Sequence, residues 1–200
     1  HNGIKYFSGD GYKLSDATEE RIEAIILDNA EEIESPTHEN IGRIVHDNTL
    51  CDKYIKFAAS TADKELSGMK IAIDCANGAS SVTAKKALEM LGAEVFVIND
   101  KPDGININSD CASTHMDGLM RYTKEVGADI GLAFDGDADR LLASTENGEM
   151  VDGDKIMAIC ALRMKKEGKL KKNTIVATVM TNLGLFVMGE EKGVDILKTK

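Results

Sequence analysis

Two hydrophobic patterns alternate along the chain and divide it into predicted helices and strands. Apolar residues spaced three or four apart are typical of helices, whereas short apolar runs are typical of buried strands. Residues 71–74, 94–98 and 129–134 form such runs, and helical spacing fills the segments between them. This order predicts an α/β fold with mixed, mostly parallel sheets sandwiched by helices.

The first two strands predict a βαβ unit over residues 71–98. An Asn77-Gly78 turn joins the first strand to a helix, and Gly92 stands where that helix is expected to end. We expect Gly78 to supply an unusual φ angle in the turn. Such a unit normally connects parallel strands, so these two strands are expected to run parallel.

Later segments predict a hairpin and a second αβ unit. Residues 141–145 and 149–151 flank Glu-Asn-Gly, which is a hairpin turn signal. The second unit begins near residue 153, with strands expected at residues 174–179 and 195–198.

The first part of the chain is less regular. Residues 4–14 predict a short hairpin around Ser-Gly-Asp-Gly, and isoleucines at helical spacing follow it. Residues 41–45 are apolar enough to predict a strand.

Composition excludes several classes of function. The chain is 42% hydrophobic and has a formal charge of −10, whereas nucleic-acid binding needs a basic patch, so no nucleic-acid partner is expected. It has no run of about 18 apolar residues, so no membrane partner is expected. The four cysteines match neither a metal nor a disulfide spacing, which indicates reduced thiols in the cytoplasm.

The most unusual chemistry lies in DGDADR, where Asp135, Asp137 and Asp139 are followed by Arg140. Carboxylates about 4 Å apart repel by roughly 4 kcal/mol at an effective dielectric near 20. They therefore need a cation, protonation or separation into water. Oxygen ligands at this spacing suit Mg²⁺ or Ca²⁺, and Asp135 follows a predicted strand, where α/β folds bind ligands.

Several interpretations of this loop compete. An exposed acidic turn whose side chains point apart stays open. An EF-hand is excluded because it needs Gly at the position of Arg140 and helices on both sides. A phosphatase with an aspartyl nucleophile would have Thr or Val in place of Asp139. A metal beside a guanidinium group instead indicates a site for a phosphoryl group.

The DGDADR loop resembles the metal loop of the α-D-phosphohexomutase superfamily, and further segments in family order extend the resemblance. GININ and CASTH are similar to segments of the bacterial phosphoglucosamine mutases within it, although Ala112 stands where Gly is usual. The matching segments are Asn2-Gly3-Ile4-Lys5 (NGIK), residues 74–79 (DCANGA), 104–108 (GININ), 111–115 (CASTH), 151–154 (VDGD) and 178–184 (TVMTNLG).

The resemblance implies a mechanism and a cofactor. Members of this superfamily hold Mg²⁺ with three aspartates and a phosphoserine, which exchanges phosphate with a hexose monophosphate through a bisphosphate intermediate. Asp135, Asp137 and Asp139 would then be the metal ligands. Arg140 would contact phosphate or steady the loop, and Lys5 matches the family's candidate general acid/base.

The resemblance also implies a domain layout: residues 1–47 end domain 1, residues 48–152 form the metal-loop domain 2, and residues 153–200 begin the sugar-binding domain 3. Both ends look cut, so we expect a piece of a longer enzyme, inactive alone without its phosphoserine loop and fourth domain. The expected substrate is an amino-sugar phosphate, namely glucosamine 6-phosphate. The expected protein partner is a second copy of the full-length enzyme in a homodimer.

Two other functions stay open, because the loop that selects the sugar would follow residue 200 and the serine loop would precede residue 1. One is a phosphomannomutase or phosphoglucomutase of the same superfamily, and the other is a non-catalytic metal-binding domain. His115 is a candidate for lining the active-site cleft, with a helix cap or surface residue as the alternative. We interpret four further residues as core: Cys75, Cys111, Met116 and Met120.

Overall fold

The chain forms two compact units, His1–Asn48 and Thr49–Lys200. The structure, a computed structural model, describes residues 5–28, 31–32, 35–47 and 49–199. The first unit contains helix α1 (Asp16–Asp28) and a short 3-10 helix (His38–Asn40).

The strands predicted in the first unit are mostly absent from its described residues. The hairpin is reduced to one antiparallel bridge between Phe7 and Lys13, and Ile4 lies outside the described residues. The strand predicted at residues 41–45 is wrong: Ile44 and Val45 are 87% and 85% exposed in irregular chain. A strand needs a neighbour for its backbone hydrogen bonds, and the described part of this unit offers none there.

The second unit is built on a five-stranded sheet in the order β2-β1-β3-β4-β5. Strand β1 runs parallel to β2 and β3, whereas β4 and β5 are antiparallel. Asp74 pairs with Ile98 and Ala133, so the three parallel strands end at the same edge. The strands are β1 (Lys70–Asp74), β2 (Glu94–Ile98), β3 (Ile130–Phe134), β4 (Leu141–Thr145) and β5 (Met150–Val151).

Helices cover both faces of this sheet. Ile71 and Ile73 of β1 point into the core beneath the helix at residues 84–90, whereas Ala72 points into the core beneath the helix at residues 117–125. The central strand is therefore buried on both faces, which explains its unbroken apolar run. The helices of this part are α2 (Thr49–Ser60), α3 (Ala84–Met90) and α4 (Asp117–Glu125).

The last part of the second unit, residues 153–199, adds two helices and two strands. Strands β6 (Thr174–Ala177) and β7 (Asp195–Lys198) pair in parallel, and α5 (Gly153–Lys166) contacts α6 (Leu183–Lys192). Strand β6 ends two residues before the predicted end, because Thr178 starts a turn in which its Oγ1 accepts a hydrogen bond from the backbone N–H of Met180.

The predicted α/β class with mostly parallel sheets is thus confirmed. None of the helices in the described residues combines the length and the apolar composition that crossing a bilayer requires.

Candidate metal centre

The acidic loop, residues 135–140, connects β3 to β4 at the edge where the parallel strands end. The backbone N–H of Asp135 donates to the carbonyl of Arg140 at 3.3 Å, and the N–H of Ala138 donates to the carbonyl of Asp135 at 3.0 Å. Ala138 has a left-handed φ of 61°. These contacts close the loop into a tight turn that keeps its three carboxylates together.

Asp135 and Arg140 form the fixed side of the loop. The Arg140 backbone N–H donates to Asp135 Oδ1 at 3.1 Å, and Arg140 Nε donates to Oδ2 at 2.8 Å. Asp135 is 2% exposed, whereas the Arg140 side chain is 69% exposed. The terminal amino groups of Arg140 make no hydrogen bond within the described part of the chain, which leaves them accessible to an anion.

The surroundings of Asp135 favour its ionised form. Burial raises the pKa of its carboxyl, but the hydrogen bonds and the positive charge of Arg140 act in the opposite direction, with a hydrogen bond involving Asp137 adding to them. The opposing contributions leave the pKa of Asp135 below its usual value. At neutral pH the loop therefore presents a charged buried carboxylate.

The other two acids lie in solvent beside it. One oxygen from each of Asp135, Asp137 and Asp139 lies within 4.8 Å of the others, and only Asp135 is buried. Unit charges 4.8 Å apart repel by about 0.9 kcal/mol in water and by about 3.5 kcal/mol at an effective dielectric of about 20. Arg140 offsets part of this repulsion, and a divalent cation would offset more.

The donor set fits Mg²⁺. Carboxylate oxygens are the ligands that this ion prefers, and it commonly keeps several waters or phosphate oxygens beside one or two carboxylates. Each Asp135 oxygen accepts one hydrogen bond from Arg140, and a carboxylate oxygen has a second lone pair for a further partner. The acidic loop can therefore hold the ion without breaking the Arg140 contacts.

Gly78 contacts the acidic loop, and the φ angle expected for it is wrong. Its φ is −119°, in the extended region, whereas Ala76 and Asn77 have left-handed φ angles of 57° and 47°. A Cβ on Gly78 would lie 2.2 Å from the carbonyl oxygen of Gly136. That same oxygen accepts a hydrogen bond from the Ala79 N–H at 2.9 Å, so glycine is needed here for close approach.

Sequence reasoning missed the residues that hold the loop from beneath. Asp74 is 1% exposed and accepts backbone hydrogen bonds from two loops, whereas the sequence pattern predicts only that it ends a strand. Ile107 and Asn108 lie under 3 Å from where a Cβ of Gly136 would be. The sequence does contain a signal for Asp74: it is an acidic residue at the end of a buried parallel strand, and α/β sheets bind ligands at that edge.

Lys5 and His115, the two other candidate site residues, are both exposed. Lys5 is exposed in the first unit, where it lines a cavity with Lys13 and Glu19, and its catalytic role stays a prediction. His115 follows the 3-10 helix Ala112–Thr114, and its Nδ1 lies 3.2 Å from Thr114 Oγ1. Its exposed position leaves the cleft assignment a prediction.

Three of the four residues interpreted as core are buried, and Met120 is half-buried. Cys75 packs in the cluster beneath α3, where burial raises the pKa of its thiol to about 11. It is therefore a neutral thiol at physiological pH. Cys111 packs in a cluster with Ala76, whereas Met116, just before α4, and Met120, within α4, pack in the cluster that contains Ala72 of β1. All four cysteines of the chain are free.

Comparison with family models finds two consecutive matches. Residues 52–148 match the model for phosphoglucomutase/phosphomannomutase, alpha/beta/alpha domain II. Residues 152–200 match the model for alpha/beta/alpha domain III of the same family.

Similar proteins carry related names. The chain is 60% identical to the phosphoglucosamine mutase of Acetivibrio thermocellus and 52% identical to that of Clostridium novyi, and each alignment covers 100% of the chain and 44% of the relative. The chain thus spans less than half the length of these relatives. A solved structure of a phosphoglucomutase/phosphomannomutase family protein from Burkholderia thailandensis has a TM-score of 0.66 at 25% identity, covering 94% of the chain and 39% of that protein.

Proposed function

The chain belongs to the phosphoglucomutase/phosphomannomutase family, and from this premise we propose that it is the central part of a Mg²⁺-dependent phosphoglucosamine mutase. Such an enzyme interconverts glucosamine 6-phosphate and glucosamine 1-phosphate through a phosphoserine and a bisphosphate intermediate. The observation that carries the proposal is the acidic loop, with three carboxylates within 4.8 Å of one another beside a fixed guanidinium group. The choice of an amino sugar is supported by the 60% and 52% identity to phosphoglucosamine mutases.

The proposal includes a division of the chain into parts of three domains. Residues 1–47 would end domain 1, residues 48–152 would form domain 2, and residues 153–200 would begin domain 3. The family-model matches over residues 52–148 and 152–200 support the second boundary. We place the enzyme in the cytoplasm, which is supported by four free cysteines.

Within the acidic loop each residue has a separate task. Asp135, Asp137 and Asp139 would hold Mg²⁺, which when bound neutralises charge on phosphoryl oxygens. Arg140 is anchored to Asp135 through Nε, so its terminal N–H groups can donate to phosphate as a preorganised pair. Asp135 keeps this guanidinium in one orientation, which lowers the entropy lost when phosphate binds.

Lys5 is the proposed proton carrier. As the new O–P bond forms, the attacking sugar hydroxyl must lose its proton, and as the old P–O bond breaks, the serine oxygen must gain one. The Lys5 side-chain nitrogen would accept the first proton and return it to the leaving oxygen. The support for this role is the match of Lys5 to the family's lysine in the NGIK segment.

Calorimetry tests the metal role directly. We expect the chain to bind Mg²⁺ weakly, because the phosphoserine would supply a further ligand, and Asp137→Ala to weaken binding by about tenfold or more. Asp137 is chosen because its side chain is exposed, so the substitution leaves packing intact.

Glu146→Gln is the matched control for Asp137→Ala. It removes one negative charge from the exposed β4–β5 turn and leaves the acidic loop unchanged. Equal Mg²⁺ affinity in wild type and Asp137→Ala would show that Asp137 is not a ligand.

Lys5→Ala in the full-length protein tests the proton carrier. The expected result is a fall in kcat of about 10²- to 10⁴-fold, because a general acid/base typically contributes that much. Lys13→Ala is the control, since Lys13 lies in the same unit but pairs with Glu19 at 2.8 Å. A normal kcat for Lys5→Ala would remove Lys5 from this role.

A substrate panel separates the competing functions. The full-length protein should convert glucosamine 6-phosphate with a higher kcat/KM than mannose or glucose phosphates. The reverse order would indicate a phosphomannomutase or phosphoglucomutase. No turnover of any sugar phosphate, with the phosphoserine loop present, would favour a non-catalytic domain.

A further inference from the structure

Asp74 ends strand β1 with a carboxylate that is almost completely buried. It is 1% exposed, and both of its oxygens accept backbone hydrogen bonds: Oδ1 from Ala76 at 2.9 Å and Oδ2 from Ala112 at 3.0 Å. Ala76 lies in the turn that follows β1, whereas Ala112 lies 36 residues further along the chain, where the loop after β2 enters the 3-10 helix Ala112–Thr114. One side chain therefore ties two loops together.

Both alanines that donate to Asp74 have an unfavourable backbone conformation. Their φ angles are 57° and 75°, and both residues are 0% exposed. An L-residue in this left-handed region loses conformational free energy because its Cβ crowds the backbone, and glycine avoids this loss because it has no Cβ. The hydrogen bonds that these N–H groups donate to Asp74 oppose this strain and fix the direction of both N–H groups.

The two loops that Asp74 joins lie against the acidic loop. Beyond Ala76, the Ala79 N–H donates to the carbonyl of Gly136 at 2.9 Å. Before Ala112, the side chains of Ile107 and Asn108 lie under 3 Å from where a Cβ of Gly136 would be. A further hydrogen bond links the two loops, because the Asn108 N–H donates to the Ala76 carbonyl at 2.9 Å.

We infer that Asp74 is a positioning residue for the acidic loop: its buried carboxylate holds the two loops that fix Gly136, and through Gly136 it sets the position of Asp135 and Asp137. The metal part of this inference rests on the proposed function, whereas the loop-holding part does not. Asp74 contacts neither Asp135 nor Arg140 by any hydrogen bond in the described residues, so its effect on the loop is indirect.

A carboxylate suits this position better than an amide. Both Asp74 oxygens receive an N–H donor, and a carboxylate accepts at both while offering no donor of its own. An asparagine has one oxygen and one NH₂ group, so it must turn the NH₂ toward one of the two N–H groups. Asp74→Asn therefore preserves volume and removes one of the two links.

Amide hydrogen exchange on the metal-free chain tests the loop-holding part. The probes are the amides of Asp135, Ala138 and Arg140, which are hydrogen-bonded within the loop. In Asp74→Asn these amides should exchange about 10- to 100-fold faster, because a buried N–H left without its acceptor makes local opening of the loops easier by about that factor. Calorimetry on the same samples should show Mg²⁺ affinity reduced by a similar factor.

Thr123→Val is the matched control for a general loss of stability. Thr123 is also completely buried, and its hydroxyl bonds the Leu119 carbonyl and Ser144 Oγ between α4 and β4. This variant should lower the melting temperature while loop exchange and Mg²⁺ affinity stay at wild-type values.

The outcomes separate this inference from the proposed function. Unchanged loop exchange in Asp74→Asn, or equal acceleration in Thr123→Val, would overturn the inference. Faster loop exchange in a chain whose wild type binds no Mg²⁺ would support the loop-holding role and contradict the metal role.

A second variant covers the case in which Asp74→Asn does not fold. Asn77→Gly removes the hydrogen bond that Asn77 Oδ1 accepts from the Lys101 N–H and the one that Asn77 Nδ2 donates to the Asn106 carbonyl, and glycine tolerates the φ of 47°. Asp74 keeps both of its hydrogen bonds in this variant, so exchange in the acidic loop close to the wild-type rate would support the inference. An acceleration of about tenfold or more would overturn it, because the loop would then depend on Asn77 and not on Asp74.

Discussion

Asp135→Asn is expected to lower kcat of the full-length protein on the order of 10³-fold and to remove measurable Mg²⁺ binding from the chain. The substitution is nearly isosteric, so packing around this 2%-exposed residue is preserved. What changes is the charge and one acceptor. The amide NH₂ must face either the backbone N–H or Nε of Arg140, both of which are donors.

The same substitution should also reduce stability. A lost hydrogen bond to a charged group, together with an unsatisfied donor, costs about 1–3 kcal/mol of unfolding free energy. Urea unfolding of the chain measures this loss. The released Arg140 would no longer hold its guanidinium group in place, so KM for the sugar phosphate should rise as well.

Asp152→Asn is the control for exchanging a carboxylate for an amide. Asp152 caps helix α5 by accepting from the Lys155 N–H at 2.9 Å, and asparagine caps helices about equally well. This variant should keep wild-type stability and activity. If Asp135→Asn retained both full activity and Mg²⁺ affinity, Asp135 would be a structural residue only.

Much of the second unit could be predicted because its pattern is local. Strand β1 is an unbroken apolar run, and the turn residues after it mark where the strand stops. The carboxylate cluster of the acidic loop could also be predicted, because Asp135, Asp137 and Asp139 are close in sequence and one turn holds them together.

The first unit could not be predicted equally well, because a strand depends on its partner. Residues 41–45 have the apolar content of a strand, but Ile44 and Val45 remain exposed with no neighbouring strand among the described residues. The apolar content of a segment indicates that the segment can be buried, but it does not indicate which other segment would cover it.

The supports of the acidic loop were missed because they are long-range backbone contacts. Asp74 meets Ala112 and Gly78 meets Gly136, pairs separated by dozens of residues. The sequence pattern predicts that glycine is required at residue 78, but it predicts the wrong reason for the requirement. Glycine at a turn suggests a left-handed φ, and only the structure shows that the missing side chain makes room for a carbonyl oxygen.

That close approach gives the second large effect: Gly78→Ala should reduce Mg²⁺ affinity of the chain by about 10- to 100-fold. The new Cβ would lie 2.2 Å from the Gly136 oxygen and 2.8 Å from its carbonyl carbon, and backbone cannot turn away as a flexible side chain can. The acidic loop must therefore move away from the β1–α3 turn. This shift also breaks the hydrogen bond from the Ala79 N–H, so stability should fall by about 1–3 kcal/mol.

Gly118→Ala is the matched control for Gly78→Ala. Gly118 lies in α4 with nothing within 4 Å of its Cβ position, so alanine should raise stability by up to about 1 kcal/mol through helix propensity. Calorimetry with Mg²⁺ and urea unfolding on both variants distinguish local displacement from a general glycine effect. Wild-type Mg²⁺ affinity in Gly78→Ala would mean that the acidic loop binds its ion without support from the β1–α3 turn. A loss confined to Gly78→Ala would show that the position of Gly136 controls how the three carboxylates meet the ion.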